Sequence, residues 1–135
     1  MNNLAGLYES QGNYDAALPL YLECLDKKKR ILGEDHPDTL ISMSNLGCCY
    51  RDMGRLEEAR AMLEECVKAA KRVLGPEHPA TLRFSDNLAF TVLKQGFAAE
   101  AAATFAALLD TMERILGVDH DFTKRVRERL ALAQS

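Results

Sequence analysis

From Leu40 onward the apolar or small residues fall at Met43, Leu46, Gly47 and Tyr50, the three-four spacing of one buried helical face, and Gly54 closes the run. A second run keeps the rhythm through Leu56, Ala59, Leu63, Cys66, Val67, Ala70 and Leu74, and ends at Gly75. The pattern predicts a helix A, a tight turn and a longer helix B. Ala59, and Ala17 in the same register, are small where two helices have to approach closely.

The unit recurs at a fixed interval. "ILGEDHPDTL" at 31–40 returns forty-two residues later as "VLGPEHPATL" at 73–82, and in eroded form as "ILGVDHDFTK" at 115–124. Residues 1–42 laid over 43–84 give sixteen identities, among them Leu4, Tyr8, Gly12, Ala17, Cys24, Gly33, His36, Pro37 and Thr39. A third copy from Ser85 keeps Asn87, Leu88, Gly96, Ala101, Arg114, Gly117, His120 and Thr123, but has Asp121 in place of the proline. A catalytic site is assembled once, from different segments. A motif repeated at constant spacing points to architecture.

The predicted organisation is all-α. Helices A cover 1–12, 38–54 and 80–96, helices B cover 13–33, 55–75 and 97–117, and a last helix covers about 122–134. The repeats of this single domain, 1–135, run approximately 1–37, 38–79 and 80–121. Met1 aligns with Met43, inside a helix A, which points to a fragment of a longer array. Gly33 and Gly75 are placed to end helices B, and Pro37 and Pro79 suit the first turn of the next helix A, where a missing N–H costs little. His36 and His78 then read as N-caps or loop anchors rather than metal ligands, and Thr39, Thr81 and Thr123 as local hydrogen-bonding residues. Ala98, Ala102, Ala103 and Ala106 predict that the third repeat packs least well. The closing "DFTKRVRERLALAQS" has Leu130 and Ala131 at buried positions and Arg127 in the place of Met43, which reads as a solvating cap, with a truncated fourth repeat as the alternative.

The stretch "NLGCCYRDMGRLEEA", followed by a long second helix and "VLGPEHPATL", resembles the tetratricopeptide repeat in its forty-two-residue, kinesin-light-chain-like form. Leu46, Gly47, Tyr50, Gly54 and Ala59 stand at that family's signature spacing, and the likeness covers nearly the whole chain. Val92 and Ala98 depart from it. The resemblance implies a right-handed superhelical solenoid of antiparallel helix pairs, with helices A lining a concave groove that binds a protein or peptide ligand.

On that resemblance the groove would display Asn2, Gly6, Glu9 and Ser10, then Ile41, Ser44, Cys48, Arg51 and Asp52, then Arg83, Asp86, Phe90, Leu93 and Lys94. Asn3, Asn45 and Asn87 form a ladder beside them. An asparagine carries both donor and acceptor, so the ladder can hold an extended peptide backbone or bond the neighbouring helices, and both roles stay open. Arg51, Arg83 and Lys94 bracket Phe90, a set that favours an acidic residue beside a hydrophobic one, while Asp52 and Asp86 dilute the field. The candidate groove residues are Asn3, Asn45, Cys48, Arg51, Arg83, Asn87, Phe90 and Lys94.

Composition narrows the alternatives. A net charge of -3 supplies no global field for nucleic acid, and no apolar run reaches membrane-spanning length. Cys24, Cys48, Cys49 and Cys66 include no CxxC pair, so neither metal nor cofactor is expected, and reduced thiols suit the cytoplasm. No phosphate loop, nucleophile elbow or HExxH motif is present, so no enzyme is expected. The competing class is a structural or self-assembling segment, in which Leu4 and Leu7 at an open N-terminal end allow a homodimer.

Overall fold

The computed structural model describes residues 2–135, with side chains from Gly6 onward. Its helices are α1 (Asn2–Ser10), α2 (Tyr14–Leu32), α3 (Pro37–Asp52), α4 (Leu56–Val73), α5 (Pro79–Lys94), α6 (Ala98–Ile115) and α7 (Asp121–Gln134). They occupy the expected segments, with ends that differ by at most two residues. No strand occurs among the described residues. Each B helix packs between the A helix before it and the one after it: α2 between α1 and α3, α4 between α3 and α5, α6 between α5 and α7. Such an array is held by neighbours alone.

The junctions follow from local chemistry. The last turn of α2 closes where the Gly33 N–H returns to Lys29 O, at a φ of 91° that a side chain would resist. After a short loop, His36 takes an extended conformation and its Nδ1 accepts the Asp38 N–H at 3.0 Å, with Pro37 as the first helical residue. His78 does the same for the Ala80 N–H at 3.0 Å. His120 caps the Phe122 N–H at 3.1 Å although Asp121 replaces the proline. The histidine therefore carries the cap, and an acidic residue in the first turn suits the positive end of the helix dipole.

Side chains then fix each junction to its neighbours. Thr39 and Thr81 are buried and donate to carbonyls of the preceding segment, Gly33 O at 2.8 Å and Ala70 O at 3.4 Å. Arg72 of α4 grips Asp35 in the loop before α3 with bonds of 2.9 and 3.0 Å, and Arg114 of α6 grips Glu77 one repeat on. The Arg72 hydrogen bonds hold the Asp35 carboxyl below its ordinary value. Both pairs are solvent-exposed, so they define register more than they add stability. Cys66 donates to Leu40 O at 3.2 Å, and burial pushes its thiol up to about 12. It behaves as a small core residue.

Two apolar clusters result. One gathers Tyr21, Leu25, Leu40, Met43, Leu46, Cys66 and Val67. The other gathers Leu82, Phe105, Leu108, Met112 and Val126. The alanines of α6 thin that second cluster less than expected, because Ala103 and Ala106 are exposed and Phe105 fills the register position of Leu63 and Tyr21. In α7, Val126 and Ala133 are buried and Leu130 is half-buried, but Ala131 is exposed, against expectation, because it lies off the face that Val126 and Ala133 turn to the core. Arg127 turns back to Glu113 and to Val118 O, both at 3.2 Å.

One close approach sets the spacing within the second repeat. A Cβ built on Gly47 would lie 2.7 Å from Leu63 Cγ, and Leu63 is fully buried. Alanine improves helix propensity by about 1 kcal/mol, but overpacking a filled core costs roughly 1–3 kcal/mol. Gly47→Ala is therefore expected to destabilise the protein by about 1 kcal/mol in urea unfolding. A stability equal to or above the parent would show that Leu63 moves aside freely.

Candidate functional site

Helices α3, α5 and α7 stand side by side as one wall, and α1 approaches its start where Glu9 meets Arg51 and Asp52. The forty-two-residue interval fixes which of their side chains meet, because a residue on one A helix faces the residue forty-three positions earlier on the helix before. Asn87 Nδ2 donates to Ser44 Oγ at 3.2 Å, and in the same register Arg129 Nη1 donates to Asp86 Oδ2 at 2.8 Å. The asparagine ladder thus bonds neighbouring helices at Asn87, through a side chain rather than the backbone. No intramolecular bond reaches Asn87 Oδ1 among the described residues. Asn45 is half-buried, and the side chain of Asn3 lies outside the described residues.

Phe90 sits at the centre of the wall, half-buried under three cations. Arg129 lies 4.1 Å from its ring centroid, Arg51 5.0 Å and Lys94 5.1 Å. The structure therefore brings Arg51, Phe90 and Lys94 together as expected, but Arg83 does not join them. Arg83 is exposed at the N-terminal part of α5, beside His120, Asp121, Phe122 and Arg125. The third cation on Phe90 is Arg129 instead.

Asp86 does not dilute the field in the way its charge suggests. It is fully buried, and its Oδ2 is held by Arg129 and by Arg125 at 3.2 Å. A carboxylate removed from water needs such partners, and Asp86 Oδ1 still has none. The missed residues Arg125, Arg129 and Phe122 belong to α7, which reads as a cap but forms part of the wall. Their signal was the interval: Arg125 stands forty-two residues after Arg83, and Arg129 forty-two after Asn87.

At the other end of the wall, Arg51 is 11% exposed and bonds Asp52 Oδ1 at 3.3 Å, while its Nη1 has no hydrogen-bond partner. Glu9 faces this pair, and its Oε2 is also buried without a partner. Burial first, and then the Asp52 charge, raise the Glu9 carboxyl above its ordinary value, with Arg51 opposing them. Cys48, half-buried beside Arg51, keeps its proton because burial raises the thiol. The same effect pushes Cys49 up to about 11, so neither thiol is an activated nucleophile. Among the described residues no group of His, Cys, Asp and Glu could hold a metal ion. No described helix is long and apolar enough to cross a membrane.

A family model described as the tetratricopeptide repeat matches residues 1–72 and 49–89. The chain is similar to a candidate kinesin light chain of Podosopora anserina with nearly identical TPR-like repeats, at 26% identity and a TM-score of 0.90, over 97% of this chain and 62% of that one. A single-substitution form of that protein matches equally well. BtubC (BKLC) from P. vanneervenii matches at 24% identity and a TM-score of 0.82, over 96% of this chain and 51% of that one, a likeness of fold. The chain thus spans between half and two thirds of these solved chains. No curated protein matches it.

The Glu9 environment generates a pH prediction. A carboxyl whose folded pKa is raised above 4.5 binds more protons folded than unfolded, so its penalty appears as pH rises through 4.5 and stays above the folded pKa. Glu9→Gln is expected to raise the melting temperature at pH 7 and to leave it unchanged at pH 3.5. An equal gain at both values would assign the effect to packing rather than charge.

Proposed function

The chain belongs to the tetratricopeptide repeat family, and from that premise we propose that its A-helix wall binds a short extended peptide as an adaptor. Repeats of this kind are in general protein–protein interaction modules. One observation carries the reading: Phe90 holds three cations against its ring on the inner wall. A cation over an aromatic face keeps donors available, and a guanidinium presents them in a fork that matches a carboxylate. Such a cluster favours an acidic residue next to a hydrophobic one. Asn87 Oδ1 is available to accept an N–H from the ligand backbone while its amide holds Ser44. Free cysteines are consistent with a cytoplasmic setting.

Charge-assisted contacts contribute about 1.5–3 kcal/mol each, so a wall this short should bind on the order of micromolar and lose affinity with added salt. The test is an array of extended peptides, followed by titration of the hits against Phe90→Ala and the double substitution Asn45→Ala, Asn87→Ala. A loss of about tenfold or more in each, with helicity retained, is the expected result. Hits that ignore both variants would remove the wall as the binding surface.

A second reading, self-association, is supported by a different observation. Ile31 is 77% exposed, whereas its register partners Val73 and Ile115 are 40% and 39% exposed, and the adjacent Leu32 is exposed too, as is Leu7 on α1. Apolar surface of this kind favours pairing of two chains through their N-terminal ends. Light scattering across a concentration series should then show mass rising toward a dimer. A constant monomer mass would remove this reading.

A further inference from the structure

The C-terminal half of α2 carries an apolar cleft of about 370 Å³, lined by Cys24, Lys27, Lys28, Ile31 and Leu32. No described residue of another helix lines it. The later repeats show what such a cleft accepts. Forty-two residues on, Cys66, Ala70 and Leu74 of α4 hold the same register, and the start of α3 closes over them: Cys66 donates to Leu40 O at 3.2 Å, and Leu40 and Leu74 pack into one apolar cluster. In α6 the register falls on Leu108, Met112 and Leu116, which pack in one cluster with Leu82 from the start of α5. Ala70 and Met112 are fully buried there, whereas Lys28 is only half-buried and Leu32 is exposed. The lysine stems extend the apolar floor while their ammonium groups stay in water.

Charge supplies a second coordinate. Arg72 and Arg114 bond Asp35 and Glu77, the acids that stand directly before the His caps of α3 and α5. Their register partner on α2 is Arg30, which among the described residues pairs only with Asp26, one helical turn back on its own exposed surface. A pair of that kind contributes little. Around the cleft Lys27, Lys28 and Arg30 stand against Glu23 and Asp26, so one positive charge is left over. We propose that this cleft docks the first turn of a helix from a partner polypeptide, with a leucine entering against Ile31 and Leu32 and an acid five residues before it on Arg30. That spacing is the one between Asp35 and Leu40, and between Glu77 and Leu82. A second copy of this chain does not supply such a turn, because Leu40 and Leu82 are buried, their acids are paired, and Lys124 replaces the leucine at the third junction. The site goes beyond the extended-peptide reading: it lies on a B helix, away from Phe90, and takes a helix start.

The probe is the blocked peptide of residues 33–46, GEDHPDTLISMSNL, titrated into the whole chain while backbone amides are followed. A free peptide this short is mostly unfolded, so docking bears the cost of ordering it and affinity should be on the order of 100 micromolar. Shifts are expected at residues 27–32. Ile31→Ser, at an exposed position, should weaken binding about tenfold with helicity unchanged, and Leu40→Ser in the peptide should do the same. Arg30→Glu in the chain and Asp35→Lys in the peptide should each weaken it about threefold and restore each other when combined. Phe90→Ala should change nothing. Binding that ignores Ile31→Ser and the peptide serine would overturn the site, as would shifts confined to α5 or a loss on Phe90→Ala. Failure of the charge exchange would overturn the Arg30 contact. The two readings fail separately: extended peptides held at Phe90 with this peptide unbound sink the α2 site alone, and this peptide bound with no extended peptide captured sinks the wall reading alone.

Discussion

Everything in this molecule depends on the angle at which one helix pair hands over to the next, and a histidine cap sets that angle. His36, His78 and His120 each accept the backbone N–H two residues on, so α3, α5 and α7 leave their loops in one conformation. A cap of this type is worth about 1 kcal/mol locally. Its larger consequence is geometric. Because the junction repeats, the wall helices keep one register, and residues that never approach each other in sequence become partners. The Asn87–Ser44 and Arg129–Asp86 bonds occupy equivalent positions, first as a neutral pair and then as a buried ionic one.

That substitution changes what the last helix does. A solvating cap needs polar residues facing outward and nothing more. Here α7 sends Arg125 and Arg129 inward to Asp86, and the same two side chains lie over Phe122 and Phe90. Counter-ion and aromatic support hold the guanidiniums in place, so a ligand does not have to order them on arrival. The charge along the wall is also uneven. Glu9 and Asp52 surround Arg51 at one end, and arginines outnumber their carboxylates at the other. An elongated ligand of mixed charge would meet a wall with a direction.

The fold was legible because it is written in local signals: the three-four rhythm, the glycines at turns, and the His-Pro stretch whose residues act on their immediate neighbours. The wall was legible in part. Arg51, Phe90 and Lys94 meet because Phe90 and Lys94 share one helix face, and Arg51 reaches across from α3, the wall helix before it. Arg83 was grouped with them by the sequence but lies further toward the start of α5, where Phe122 and Arg125 are its company. The arginines of α7 escaped because exposed charge is the ordinary reading of Arg in a terminal helix. Asp86 escaped because its burial depends on partners forty-odd residues ahead, and nothing in its own segment announces that. Asn3 stays outside the described side chains.

The Arg72–Asp35 and Arg114–Glu77 clasps carry one more implication. Donor and acceptor in each are separated by the same thirty-seven residues, and the loop acid of one repeat is chemically interchangeable with that of the next. If residues 43–84 were excised, Asp35 would face Arg114 and the surviving clasp would still be matched in sign and position. At these clasps, whole units can therefore be gained or dropped without creating a mismatched ion pair, so array length can drift between generations while the grip of helix on loop stays in register.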